Sequence, residues 1–195
     1  DLKDIQWIHN NNSTFKATQR EVALASFTFV VLRCPYTRIA SCFLDKVVDE
    51  VISFNDEMGK KVSLNFYEFL LHINSQQPFE REQHWRNQSD FLHYEKYDEY
   101  FSLELFSEAI ASLAAHGLKV HDTRESINHG ISNLKAVDGD FSKMKAEQIK
   151  KMKEEGSAPN YKSMFSKVEI DLVNEIYKDD MNLYKSHFGE SELLF

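Results

Sequence analysis

The stretch from Ser26 to Val51 constrains this 195-residue chain more than any other. Ser26-Phe-Thr-Phe-Val-Val-Leu-Arg33 is dense in β-branched and aromatic residues and reads as a buried strand. Cys34-Pro35 ends it, because proline has no N–H to give a ladder while its fixed φ suits the first turn of a helix. In that helix Ile39, Phe43, Val47 and Val51 recur every four residues, flanked by Leu44 and Val48, which predicts one core-facing stripe. Arg38, Ser41, Asp45 and Asp49 fall on the other side.

The strand–turn–helix can hold an anion. The free N–H groups and positive dipole end of the helix face the same mouth as Arg33. Helical side chains tilt toward the N-terminus, so the Ser41 hydroxyl can lean back to it. Arginine offers a planar fork for phosphate and serine a neutral donor. The alternative is a strand whose terminal Arg33 pairs with a carboxylate such as Asp45. Arg38 and Lys46 have the same two options, an anion or the neighbouring Asp45 and Asp49.

Around this segment, Thr18 and Glu21 fit a capping box. Ser63 is the expected cap of a helix carrying Leu64, Phe66, Tyr67, Leu70 and Leu71. A polar loop spans Asn74 to Asp90, Tyr97 to Leu103 alternates like a strand, and a helix from Leu105 should stop at Gly117. His121 to Gly139 reads as loop. Lys143 to Glu155 is a lysine-rich stretch interspersed with glutamates, a solvated helix or a flap over an anionic ligand. Ser166 and Glu169 form a second capping box, opening a helix through Leu172, Val173, Ile176, Tyr177 and Tyr184.

Composition narrows the classes. Hydrophobic residues at 42% and charged residues at 28% exclude disorder, and the length suggests one domain spanning 1–195. Three prolines and six glycines against fifteen phenylalanines and eight tyrosines predict long helices around an aromatic core. The longest mostly apolar run, Ala23 to Leu32, is too short to span a bilayer. A net charge of −8 argues against a general nucleic-acid binder. Cys34 and Cys42, about 12 Å apart along a helix, cannot bridge. The histidines lack metal-site spacing, so no metal is expected.

Arg33-x-Pro35-x-x-Arg38-x-x-Ser41-x-x-x-x-Lys46 resembles the 3′-phosphate-binding motif of sulfotransferases, in their membrane-associated and carbohydrate-directed branch. Further motifs follow in order. Asn65-Phe-Tyr-Glu-Phe-Leu70 is similar to the family's F-x-x-F helix, His84-Trp85-Arg86-x-Gln88 to its H-W-x-x-Q loop, and Tyr97-Asp98 through Glu104 to its Y-D-x-x-x-x-x-E strand. Tyr161-x-x-Met-Phe-Ser166 and Ile176-Tyr177-x-Asp179-Asp180-x-x-Leu-Tyr184 resemble its closing helix.

The resemblance implies a P-loop-like α/β fold, with a small parallel sheet surrounded by helices and a helix-rich C-terminal part. It implies 3′-phosphoadenosine 5′-phosphosulfate as co-substrate and a carbohydrate-type hydroxyl or an amine as acceptor. Arg33 and Ser41 would grip the 3′-phosphate, with Arg38 beside them. His9, in Trp7-Ile8-His9-Asn10, is the expected general base and His84 the runner-up. Trp85 and Arg86 are candidate acceptor contacts, Trp85 alternatively an anchor for its loop. The family's upstream Lys/Gly/Ser/Thr turn for the 5′-phosphosulfate does not precede Arg33, so an N-terminally incomplete domain is expected. The alternatives are a catalytically silent nucleotide- or polyanion-binding protein on the same fold, or a helical interaction module. Low cysteine content favours a cytoplasmic, bacterial-type enzyme over a Golgi-lumen form separated from its anchor.

Overall fold

The computed structural model describes residues 17–120, 131 and 133–195. Thr18 and Glu21 cap each other reciprocally and start α1 (Gln19–Ala23). The expected strand is present but shorter, β1 (Phe29–Leu32), and it is not buried throughout, since Leu32 is covered while Phe29 is exposed; Pro35 opens α2 (Pro35–Cys42). This helix widens into a π-turn over Phe43–Val47 and stops beyond Val48. Glu50 then takes the left-handed conformation, φ 58°. The chain has left the helix by Val51, which is 62% exposed instead of completing the stripe. Ile39, Phe43, Leu44, Val47 and Val48 are buried as their spacing requires.

A small hairpin follows, β2 (Phe54–Asn55) with β3 (Lys61–Val62), antiparallel. The next helix, α3 (Phe66–Ser75), is capped by Asn65, not Ser63. Asn65 Oδ1 accepts the Glu68 N–H at 2.9 Å, and Glu68 accepts the Asn65 N–H at 2.8 Å. Ser63 instead accepts the Glu147 N–H through its hydroxyl. The polar loop contains two single 3₁₀ turns, Pro78–Glu80 and Gln88–Phe91. It leads to β4 (Glu99–Ser102), then α4 (Phe106–Ala115), which ends before Gly117 at φ 76°.

Within the stretch read as loop lies β5 (Lys135–Val137), parallel to β6 (Ser157–Pro159) across the crossover helix α5 (Ala146–Glu154). Strands of three residues are too short to show a period. Lys143, Lys145, Lys150 and Lys153 each engage a carboxylate (Glu169, Glu68, Glu50 and Asp49), so this stretch is pinned to its neighbours rather than held as a flap. Ser166 and Glu169 form the expected box at α6 (Lys167–Ile176). The single closing helix is in fact two, because Tyr177 breaks out at φ −115°, ψ 31° before α7 (Lys178–Phe188). Its ring is 1% exposed and its hydroxyl donates to the Trp85 carbonyl at 2.7 Å.

β1 pairs with β4 in parallel, Phe29 opposite Glu99 and Leu32 opposite Ser102. The main core joins α2, α3, α6 and α7. Phe43 sits at its centre, with Phe66 and Phe69 rings at 5.4 and 5.5 Å. A smaller cluster, Phe101, Ala109 and Leu113, lies under α4. The described residues thus form small parallel sheets among seven α-helices, a mixed α/β architecture with a helix-rich C-terminal part. No described helix is long and apolar enough to cross a membrane.

Candidate active site

The mouth at the end of β1 is built from four separate parts of the chain. Cys34, the residue before α2, has no side-chain cap of its own. Glu104, two residues past β4, supplies one. Its Oε2 accepts the Cys34 N–H at 3.2 Å and the Ser102 and Tyr184 hydroxyls at 3.0 and 3.2 Å. Its Oε1 accepts the Thr37 hydroxyl at 2.5 Å. A carboxylate of the protein therefore occupies the positive end of α2, where an external anion was expected. Burial, relieved in part by the Ser102 contact, pushes the Tyr184 hydroxyl pKa up, so it stays a proton donor.

Arg33 pairs with this carboxylate, Nε to Oε1 at 3.7 Å, and not with Asp45, which holds Lys46 at 2.8 Å. The guanidinium also lies 5.6 Å from the Tyr161 ring centroid, with Nη2 donating to the Tyr161 hydroxyl at 3.4 Å. The Arg33 side chain keeps a quarter of its surface open. Its main chain is held separately. Gln88 Oε1 accepts the Arg33 N–H at 2.9 Å, and Gln88 Nε2 donates to the Arg33 carbonyl at 2.9 Å.

Arg38 and Ser41 lie three residues apart on α2, which puts them on one side of it. Both are partly exposed, and among the described residues neither side chain has a hydrogen bond or ion pair. Arg38 acts on the buried Cys42 thiol, offsetting slightly the burial that pushes that pKa up to about 12. Arg38 and Ser41 are thus a cation and a hydroxyl left open on α2, the helix that begins two residues after the partly engaged Arg33.

The loop after α3 runs along this flank. Glu82, which also acts on the Cys42 thiol, holds His84: Nδ1 lies 2.8 Å from the Glu82 carboxylate. This fixes one ring nitrogen and leaves the other open. Trp85 is 3% exposed among Phe54, Phe69 and His72, and its indole N–H goes to Gln76 at 3.0 Å, the placement of an anchor and not of a platform for a sugar. Arg86 donates to the Arg81 and Phe79 carbonyls and braces the loop. His9, with Ser13 and Thr14, lies outside the described residues.

Glu104, Gln88, Tyr161 and Asp180 are parts of the site that sequence reasoning placed in motifs without giving them roles. Their signal was weak because Glu104, Gln88 and Tyr161 reach Arg33 or Cys34, and Asp180 reaches Gln88, across 55 residues or more in sequence. Among the described residues no cluster of His, Cys, Asp and Glu could hold a metal ion.

No curated protein and no solved structure matches the chain at a significant level. The model of the sulfotransferase family matches residues 2–187, nearly its whole length. With the strand–Pro–helix mouth inside that span, the chain belongs to the sulfotransferase family and is an enzyme of sulfuryl transfer.

Proposed function

We propose that the chain transfers the sulfuryl group of 3′-phosphoadenosine 5′-phosphosulfate to a hydroxyl, or an amine, of a carbohydrate-type acceptor. The observation that carries the donor half is the open Arg38–Ser41 pair on α2, the helix that follows Arg33 at the strand end of a sulfotransferase-family chain. Arg33 and Ser41 grip the 3′-phosphate, and Arg38 adds charge. Glu104 keeps the guanidinium at the strand end and fills the helix terminus, so the phosphate meets side chains and not the α2 dipole.

In the transfer, the acceptor oxygen forms a bond to sulfur while the bond from sulfur to the 5′-phosphate oxygen breaks. 3′-Phosphoadenosine 5′-phosphate leaves and the acceptor proton passes to a base. His9 and His84 are the two candidates. His84 has the setting of a base, because an Nδ1–H given to Glu82 orients the ring and leaves Nε2 to take the proton. The two free, buried cysteines fit a reducing, cytoplasmic setting.

The test is ligand-dependent stability. A ligand binding only the native state at a hundred times its Kd adds about 2.7 kcal/mol. 3′-Phosphoadenosine 5′-phosphate should raise the melting temperature at concentrations where adenosine 5′-phosphate does not. Equal effects of the two nucleotides refute the 3′-phosphate assignment.

A further inference from the structure

The geometry points to Asp180 as a positioning residue for the 3′-phosphate grip, acting through Gln88 on the main chain of Arg33. The inference rests on the donor reading above and deepens it.

Asp180 lies in the first turn of α7 and is 1% exposed. A buried carboxylate is retained only where its charge is compensated. Among the described residues no ammonium or guanidinium pairs with it directly. Its oxygens go to one place in the loop: the Gln88 N–H at 2.8 Å, the Ser89 N–H at 3.0 Å and the Ser89 hydroxyl at 3.0 Å. These charge-assisted bonds cap the 3₁₀ turn Gln88–Phe91 from outside and fix the Gln88 backbone.

The Gln88 side chain then does what a neighbouring strand would do. In the parallel β1–β4 ladder, Leu32 gives its carbonyl to the Leu103 N–H at 2.8 Å, so the next residue's N–H and C=O turn to the opposite edge of β1. That residue is Arg33, and the Gln88 amide meets both groups at 2.9 Å. One side-chain amide thus sets where β1 ends and where the Arg33 side chain departs.

A second clamp keeps the loop against the same helix junction. Arg81, 5% exposed, donates to Asn87 Oδ1 at 3.0 Å and to the Ile176 carbonyl at 3.3 Å, and the Tyr177 hydroxyl donates to the Trp85 carbonyl. Loss of Asp180 therefore leaves the loop attached and frees only the end that carries Gln88. The effect falls on Arg33.

The experiment measures the affinities of 3′-phosphoadenosine 5′-phosphate and adenosine 5′-phosphate for the full chain, for Asp180→Asn, for Gln88→Ala and for the double variant. The readout is the ratio of the two affinities, which general destabilisation does not move when melting shows the variant folded. Each single variant should lower the ratio about tenfold, and the double should lower it no further, as two links of one route must. If the wild type prefers the 3′-phosphorylated nucleotide and Gln88→Ala keeps that preference, the positioning role is wrong. Multiplied losses in the double variant overturn the route through Gln88. Should Asp180→Asn fail to fold, Gln88→Ala decides alone, since it leaves the acceptors of Asp180 bonded to backbone. A wild type without the preference refutes the donor reading, and this inference with it.

Discussion

The Arg33 guanidinium and the Glu104 carboxylate face each other at 3.7 Å, and the same carboxylate closes the N-terminus of α2. One side chain therefore serves as helix cap, ion-pair partner and acceptor for three hydroxyls, those of Thr37, Ser102 and Tyr184. Glu104→Ala strips the cap and the ion pair and leaves the Thr37 and Tyr184 hydroxyls only their second partners, the Cys34 carbonyl and Ser102, a loss of about 1–3 kcal/mol in unfolding free energy. Glu104→Gln keeps an acceptor at the cap and should lose about half as much. Urea denaturation measures both, and a Glu104→Ala midpoint equal to wild type refutes the hub.

Arg38 and Ser41 make the opposite prediction, since nothing described depends on their side chains. Arg38→Ala and Ser41→Ala should each stay within about 0.5 kcal/mol of wild-type stability. Titration calorimetry with 3′-phosphoadenosine 5′-phosphate should show about ten- to a hundredfold weaker binding for Arg38→Ala and a smaller loss for Ser41→Ala, which removes a neutral donor. Arg33→Ala should weaken binding at least as much as Arg38→Ala, with a lowered melting temperature as well. Undiminished affinity in a folded Arg38→Ala protein would show that α2 presents no phosphate grip on that side.

Acidification should destabilise the protein in two stages. Burial lowers the pKa of His72 and of His187 from 6.5, so each is favoured neutral in the fold. A group lowered in this way contributes stability above its unfolded pKa and loses it as pH falls through the folded value. The second stage belongs to carboxylates such as Glu169. Burial pushes its pKa up, but Lys143 and Ser166 outweigh that and hold it below 4.5. Its contribution is present above that value and fades as pH falls below it. Urea midpoints from pH 7.5 to 3.5 should fall in both windows. His187→Phe, which keeps an aromatic ring on Tyr100, should shallow the first slope only.

Glu50 sets two local effects against each other. Its φ of 58° is a conformation that glycine adopts freely, while its carboxylate holds Lys61 and Lys150, which keep its pKa at about 2. Glu50→Gly relieves backbone strain by about 1 kcal/mol and gives up two exposed ion pairs, which solvent and salt screen. In dilute buffer the two proteins should melt close together. At 1 M salt, where the Debye length is about 3 Å, the glycine variant should be the more stable. A wild-type advantage that persists in high salt would put the ion pairs above the strain.

The elements legible in the sequence are those whose physics is local. The Thr18 and Ser166 capping boxes, the Pro35 helix start and the Gly117 stop each involve residues within a turn of one another. The buried stripe of α2 was readable up to Val48, after which Glu50 turns the chain in a way that spacing does not encode. Asn65 took the cap from Ser63 because Glu68, three residues on, could complete the box with it. β5 and β6 were invisible at three residues each, and the Tyr177 break needs the Trp85 carbonyl, 92 residues away. At the candidate site, spacing puts Arg33, Arg38 and Ser41 forward, and the structure places Arg33 just beyond β1 and the other two on α2. Which carboxylate meets Arg33 could not, because Asp45 is near in sequence while Glu104 is near in space.

The holding of Arg33 has a consequence for the order of events during synthesis. Its contacts reach forward 55 residues to Gln88, 70 from Cys34 to Glu104 and 128 to Tyr161, and Gln88 in turn depends on Asp180, 92 residues further on. Contacts of such span form late, since loop closure must come before they reward the chain. A growing polypeptide released as far as α4 already carries Arg33, Arg38 and Ser41 together with Gln88 and Glu104, yet lacks Tyr161 and the Asp180 that fixes Gln88. Nucleotide affinity should thus appear only once α7 has been made. Capture of the ligand then reports that α7 has docked on the loop.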